Sequence, residues 1–419
     1  MSTAPAPRLT AREAADRLGV KVATVYAYVS RGHLQSETAP DGRTSTFDPR
    51  AVEAMARRGR PRRSTRSPTL DLELSTALTE VRDGRLRYRG LDAVELSRRC
   101  TFEQVAELLW RDVDPRSSST GVTDDWPEGE AVPVPDGTDL DRLRAVVVWS
   151  AAADPTAADL HPAAVASTAR RLIGCMVASL PRSSQRAPRL RLDGEQLVAR
   201  SVATALSSRL GERRADAGVV AWVNAALCLL ADHELAASTL AARVAASARA
   251  DPYGVVIAGL GPFGGSLHGT ASRQVRELLD RAERSGPGAA VAHSLRTQGT
   301  VPGFGHSLYP GGDPRATELL ARLDRTRSHR RAATPDRRLD TVHAVRELAA
   351  SRTGVHANVD LAIGAFGHVH GLRHDAGDAL FGIARTAGWI AHGLEEYGER
   401  PLRFRPRARY VGVPPRELT

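Results

Sequence analysis

Three short segments set a proton-handling side chain beside glycines or a turn: Gly265-Ser-Leu-His268-Gly269, Gly303-Phe-Gly-His306 and Asn358-Val-Asp360. A small substrate can approach the backbone at each of them. Two histidines and one carboxylate are what a carbon–carbon condensation needs: a base to make an enol, and two donors to stabilise developing oxyanions. Singly, these residues say little. His268 alone is a loop histidine, and Asp360 alone reads first as a helix N-cap that could also serve as a base. Arg315, Arg385 and Arg405 alone read as solvated charge, and His293, His329, His356 and His370 as surface or structural residues. Gly261-Pro-Phe-Gly-Gly265 looks like a phosphate loop but lacks the P-loop lysine, which argues against nucleoside triphosphate binding.

The elements that must position these groups are mostly helical. Few segments alternate with period two, and helical patterns fall near Leu143–Ala152, Pro162–Ala178, Gly194–Arg209 and Gly218–Leu230. Thr79 to Gly90 reads as a small hairpin around Asp83-Gly84, and Thr101 to Trp110 as a helix with its own Thr cap. Residues 112–137 and Arg325 to Arg338 read as polar interruptions. Leu380, Ile383, Ala384, Ala387, Ile390, Ala391 and Leu394 form one continuous apolar stripe for core or subunit packing, and Arg385 lies off it.

The first 68 residues have a different texture. They hold thirteen Lys/Arg against six Asp/Glu, most of the chain's net charge of +10, and Lys21 is the sole lysine. Thr10-Ala-Arg-Glu13 has capping-box spacing and opens a short helix over Glu13–Leu18, stopped at Gly19. A second helix is expected over Val22–Ser30, a turn at Pro40-Asp-Gly-Arg43 between two short arms, and a third helix over Pro49–Arg58. The run Arg57 to Arg66 is a basic linker, read either as a solvated tether or as a phosphate contact.

This chain of 419 residues is long enough for two or three domains. It contains no run of eighteen uncharged apolar residues, so no membrane span is expected. Met1 to Arg12 lacks an apolar signal core, and Cys100, Cys175 and Cys228 are few and widely spaced. A cytoplasmic protein without a disulfide framework or zinc site is the expectation.

From about Leu70 onward the chain resembles the citrate synthase family. The resemblance rests on Gly84-Arg-Leu-Arg-Tyr-Arg-Gly90 with Phe102 to Trp110, Ala231-Asp-His-Glu-Leu-Ala-Ala-Ser-Thr239, and Gly265 to Gly269. Pro302 to His306, Asp313-Pro-Arg-Ala316, Asn358 to Asp360, Ala384 to His392 and Arg405-Pro-Arg407 follow in order. It implies a mainly α, two-domain fold: a large domain over 70–264 and 372–419, with a small domain inserted over 265–371. By resemblance Asp360 is the base toward acetyl-CoA, His268 the donor to the enolate oxygen and His306 the donor to the oxaloacetate ketone. His233, Arg315, Arg385 and Arg405 would hold oxaloacetate, Arg405 reaching the neighbouring subunit's site in a homodimer. Acetyl-CoA is expected as cosubstrate, with no tightly bound cofactor and no metal. Arg273, Arg276, Arg322 and the Arg325–Arg338 stretch are candidates for the CoA phosphates. Ser266 stands where the family often has proline, and residues 112–137 do not match clearly.

Residues 1–58 resemble the winged helix-turn-helix of excisionases and mercury-resistance-type regulators, with 59–69 as linker. That implies DNA contacts from Lys21, Tyr26, Ser30, Arg31 and Arg43, with small residues such as Val22, Ala23 and Ala27 facing the bases. Two other functions fit the same residues: a 2-methylcitrate synthase using propionyl-CoA, and a DNA-binding regulator that uses the synthase body as a metabolite sensor.

Overall fold

The computed structural model describes residues 8–30, 34–39, 44–57, 73–111, 126–182, 190, 201–211, 215–265, 269, 271–329 and 337–405. The chain divides into two compact units, Met1–Leu74 and Ser75–Thr419.

The first unit runs β1 (Leu9–Thr10), α1 (Ala11–Leu18), α2 (Val22–Ser30), β2 (Ser36–Thr38), β3 (Ser45–Phe47) and α3 (Pro49–Arg57). Its antiparallel strands lie in the order β1-β3-β2. The capping box is present: Thr10 accepts from the Glu13 backbone, and the Glu13 carboxylate accepts from Thr10 N at 2.7 Å. Those hydrogen bonds from Thr10 hold the Glu13 carboxyl below its usual range. Gly19, at φ +61°, closes the helix in the left-handed region. Ala14, Ala15, Val25, Leu34, Phe47 and Val52 form a separate small core. On α2, Val22 and Tyr26 stand exposed, as do Lys21 just before it and Ser30 at its end. Arg31 and Arg43 lie outside the described residues.

The second unit opens with a hairpin, β4 (Thr79–Arg82) and β5 (Arg85–Tyr88), turned at Asp83 and Gly84, both at positive φ, with β6 (Leu91–Asp92) beside β5. Helices α4 (Ala93–Arg99), α5 (Phe102–Arg111), α6 (Asp139–Ala153), α7 (Pro162–Ala178), α8 (Val202–Ser207), α9 (Ala217–Leu230), α10 (Ala237–Ser247) and α11 (Pro252–Phe263) follow. Then come α12 (Ala271–Ser285), α13 (Pro287–Gln298), α14 (Pro314–His329), α15 (Arg337–Thr353), α16 (Val359–His370) and α17 (Ala376–Tyr397). No helix among the described residues is long and apolar enough to cross a membrane.

Three sequence expectations are corrected. The polar interruption at Arg325 is helical instead, because α14 continues to His329. Arg325 reaches back to Glu318 at 3.9 Å, α15 begins at Arg337, and residues 330–336 lie outside the described residues. The helix expected over Gly194–Arg209 is, in its described part, only Val202–Ser207, begun by a Ser201 cap. Asp360 is not the N-cap of its helix. Asn358 is, with its side chain accepting from Asp360 N at 3.0 Å.

Helix α17 organises the second unit and packs against α5, α6, α7, α9, α10 and α11. It is buried nearly all round, not on one stripe only, and Arg385 off the apolar stripe is 1% exposed. It lies close against α11, where Gly259 faces the indole of Trp389. A Cβ on Gly259 would lie 2.5 Å from the ring. Gly259→Ala is therefore expected to cost about 1–3 kcal/mol through overpacking, despite alanine's better helix propensity. A lowered thermal midpoint would check it.

Candidate active site

The β4–β5 hairpin fixes the segment that carries His233. Tyr88 OH donates to the carbonyls of Leu229 (3.2 Å) and Asp232 (3.0 Å), at the end of α9. Thr79 Oγ1 donates to Asp232 Oδ2 at 2.5 Å, and Val81 N to Glu234 Oε1 at 2.9 Å. Glu234 itself takes a positive φ of 49°, turning the chain toward α10. His233 is left buried, its Nε2 3.0 Å from Tyr309 OH.

His306 sits on a loop fastened to the entrance of α16. Gly305 N donates to His356 O, Asn358 N to Gly303 O and Asn358 Nδ2 to Gly305 O, all within 2.8–2.9 Å. Gly303, at φ +84°, lies against Leu361 and Val275 so closely that a Cβ would be 2.9 Å from both. The Leu308 N–H donates to His306 Nδ1 at 3.2 Å. An acceptor at Nδ1 puts the proton of a neutral imidazole on Nε2. Nε2 lies 3.5 Å from Arg315 Nη2, so two donors stand side by side. An anionic or carbonyl oxygen is the group that would satisfy both.

Arg315 is held from behind. Asp313 accepts from its Nε at 3.0 Å and its Nη2 at 2.9 Å. The same carboxylate accepts from Val359 N at 3.0 Å, which ties α14 to the first turn of α16. Arg385 projects from α17 with Nε donating to Leu230 O at 2.9 Å and its guanidinium 4.9 Å from the Phe381 ring centre. Its Nη2 has no hydrogen-bond partner among the described residues. The ring of His233 meets that of His306 edge-on at 5.2 Å.

Charge and burial shape the titrations. Burial, then the Arg315 and Arg385 charges, press His233 well below the usual imidazole value. Burial and Arg315 lower His306 against the pull of Asp313. Both histidines are therefore neutral around pH 7. Burial pushes Asp360, in the first turn of α16, up to about 6; Arg315 and Arg385 oppose the rise and Asp313 adds to it. Burial raises Asp313 too, but the Arg315 charge and hydrogen bonds outweigh it and leave the carboxyl below its usual range.

Five of the sequence-derived residues thus converge: His233, His306, Arg315, Arg385 and Asp360. His268 lies outside the described residues, although the flanks of its loop are pinned by Gly265 N to Pro262 O and Gly269 N to Phe263 O, each 2.9 Å. Arg405 is exposed at the end of the described C-terminal arm. Three of the candidates for the CoA phosphates already have partners, Arg273 with Asp378 (2.7 Å), Arg276 with Asp280 (3.1 Å) and Arg322 with Glu318 (2.7 Å), and residues 330–336 of the fourth lie outside the described residues. Asp280, Glu283 and His368 bring ligand-type atoms within 4.8 Å of one another. Arg276 and Arg338 already supply positive charge there, Arg338 at 3.9 Å from Glu283. Tyr309, three residues after His306, is not singled out by the sequence; it hydrogen-bonds His233, and the Arg315 guanidinium lies over its ring, 5.5 Å from the centre.

Residues 71–407 match the family model described as citrate synthase, C-terminal domain. The chain belongs to the citrate synthase family and is a citrate synthase-type acyltransferase. It is 27% identical to citrate synthase 2 of Bacillus subtilis, over 81% of this chain and 93% of that one. It is 28% identical to a 2-methylcitrate synthase of Mycobacterium tuberculosis, over 82% and 89%. A ternary complex of carboxymethyl coenzyme A and oxaloacetate with the Thermoplasma acidophilum citrate synthase shares the fold. Its TM-score is 0.67 at 23% identity, with 83% of this chain and 96% of that one covered.

The Asp360 shift gives a stability prediction. The folded value, about 6, lies above the ordinary 3.8, so between these values the folded protein holds a proton that the unfolded chain has lost. Stability from this group therefore falls as pH rises through that window. Asp360→Asn should melt above wild type at neutral pH, and the gain should vanish below about pH 4. Calorimetric melts across pH would check it.

Proposed function

We propose that the site condenses acetyl-CoA with oxaloacetate and water to give citrate and CoA, the first step of the tricarboxylic acid cycle. The observation that carries this reading is the donor pair His306 Nε2–H and Arg315 Nη2, 3.5 Å apart beside a carboxylate whose pKa is raised. Asp360 as carboxylate takes a methyl proton from the thioester, and His268 donates to the enolate oxygen. The enol carbon attacks the ketone of oxaloacetate, whose oxygen gains charge between His306 and Arg315. Water then cleaves the citryl thioester and releases CoA. Preorganised donors of this kind are worth roughly 100- to 1000-fold in rate each.

Arg315 and Arg385 serve as carboxylate anchors, and Arg405 completes the site of the other subunit in a homodimer. Exposed apolar side chains on α6 and α10, Val148, Trp149 and Val244, support such a partner surface. Helices α12 to α16, which pack on one another, would move as the small domain, closing over substrates and excluding water from the enol.

The reading as a 2-methylcitrate synthase is favoured by the 28% identity to proteins of that name. Steady-state kinetics with both thioesters decide. Acetyl-CoA is expected to lead propionyl-CoA in kcat/KM by about 10-fold or more, the scale of one methylene in a pocket. A reversed ratio makes the protein a methylcitrate synthase. In either case Asp360→Ala should lower kcat by at least about 100-fold.

The head unit we read as a winged helix-turn-helix that binds DNA. Support comes from the order of α1, α2, β2, β3 and α3, the exposed Lys21, Tyr26 and Ser30, and the basic linker. Loss of a mobility shift on removal of residues 1–66, with binding that weakens steeply as salt rises, is the expected result. Equal binding by the truncated protein would exclude the head.

A further inference from the structure

The chain beyond α17 is held firmly for an exposed arm. Arg249, from the α10–α11 connection, donates to the carbonyls of Glu396 (3.3 Å), Tyr397 (2.6 Å) and Glu399 (2.8 Å), closing the C-terminal end of α17. Leu402 N donates to Ser247 O at 2.8 Å. Leu402 is 62% exposed yet sits at φ +56°, a left-handed conformation that a non-glycine residue keeps only when its surroundings impose it.

The next residue supplies that restraint. Arg403 grips Glu396 with two prongs, Nε to Oε1 at 2.7 Å and Nη2 to Oε2 at 2.6 Å. Glu396 is fully buried, and Arg243 also holds it, donating from Nε to Oε2 at 3.1 Å. The Arg403 guanidinium also lies 5.0 Å from the Phe404 ring centre, which stiffens the next link. Two residues further on, Arg405 is exposed and pairs with nothing among the described residues. Among the described residues, then, an unpaired cation stands at the end of a braced arm.

We propose that Arg403 is a positioning residue, whose fork onto buried Glu396 fixes the Arg405 guanidinium for the oxaloacetate carboxylate in the site of a second copy of this chain. The proposal rests on the assignment of Arg405 made above. A rival route starts from the same carboxylate. Glu396 leads inward through Arg243 to His392 (3.0 Å) and on to Asp232 (3.1 Å), beside the chain's own His233. Loss of Arg403 along that route would damage the site of its own subunit. The two routes differ in which subunit suffers.

The test uses full-length protein. Arg403→Gln removes charge and fork, and Arg403→Lys keeps the charge with a single donor group. Arg403→Gln is expected to lower kcat/KM for oxaloacetate about 10-fold, mainly through KM, because a misplaced anchor loosens the bound geometry. Arg403→Lys should fall between it and wild type. Arg403→Gln is then mixed with Asp360→Ala, with subunit exchange verified by native mass spectrometry. Random pairing makes half the dimers hybrids, each with one intact site, so activity should recover to about a quarter of wild type. Arg405→Ala mixed with Asp360→Ala is the control. If the control recovers and the Arg403→Gln mixture does not, Arg403 acts within its own subunit and the proposal is overturned. Failure of the control overturns the shared-site reading itself, and the proposal with it. Unchanged oxaloacetate kinetics in Arg403→Gln would also sink it.

Discussion

Arg315 carries a full positive charge inside the protein, and the carboxylate of Asp313 is what allows it to stay there. The pair is two-pronged and almost fully buried, and an uncompensated charge at such a depth would cost about 3–5 kcal/mol. Asp313 has a further task that a simple counter-ion would not have. By accepting from Val359 N it joins the start of α14 to the start of α16. The loop bearing His306, the helix bearing Arg315 and the helix bearing Asp360 are therefore registered to one another through one carboxylate. Without it the donors beside Arg315 would lose their common aim.

The same charge divides the labour among the titrating groups. Arg315 and Arg385 both disfavour a second proton on His233, and Arg315 does so on His306. Neutral imidazoles remain donors through one nitrogen only, and Leu308 N fixes which nitrogen that is for His306. Asp360 experiences the arginines in the opposite sense, since they favour its anion, yet burial prevails and leaves it near 6. Such a value is low enough to be ionised at neutral pH and high enough to accept a proton usefully. Separated titrations in one small volume are a recurring way of assigning acid and base roles.

Much of this site is legible in the sequence because its glycines and turns are local. Gly303-Phe-Gly-His306 and Asn358-Val-Asp360 place their functional groups at a loop and a helix start whatever the remainder does. The burial of Arg385 is less legible. Its position off the apolar stripe of α17 suggests solvent, and only the packing of the surrounding helices against α17 removes the water. Asp360 taken alone reads as a cap because both Asn and Asp cap helices, and the choice between Asn358 and Asp360 depends on backbone geometry. Tyr309 could not be weighed from sequence, since its importance lies in a contact with His233, 76 residues away. Charge density similarly disguised the last turns of α14 as a loop.

What looks like the solvent face of α17 is a buried polar stripe. Asp378, Arg385 and His392 recur every seven residues, and Glu396 follows one turn later, so all four lie on one side of the helix. Each meets a different part of the protein: Arg273 on α12, Leu230 O at the end of α9, Asp232 beside His233, and Arg243 with Arg403 of the arm. Buried polar groups are costly when unpaired and directional when paired. An apolar helix could slide or rotate among its neighbours at modest cost, whereas four buried polar anchors along one face permit a single register. Helix α17 therefore sets the distances between α12, the Arg385 guanidinium beside the end of α9 and the arm that carries Arg405.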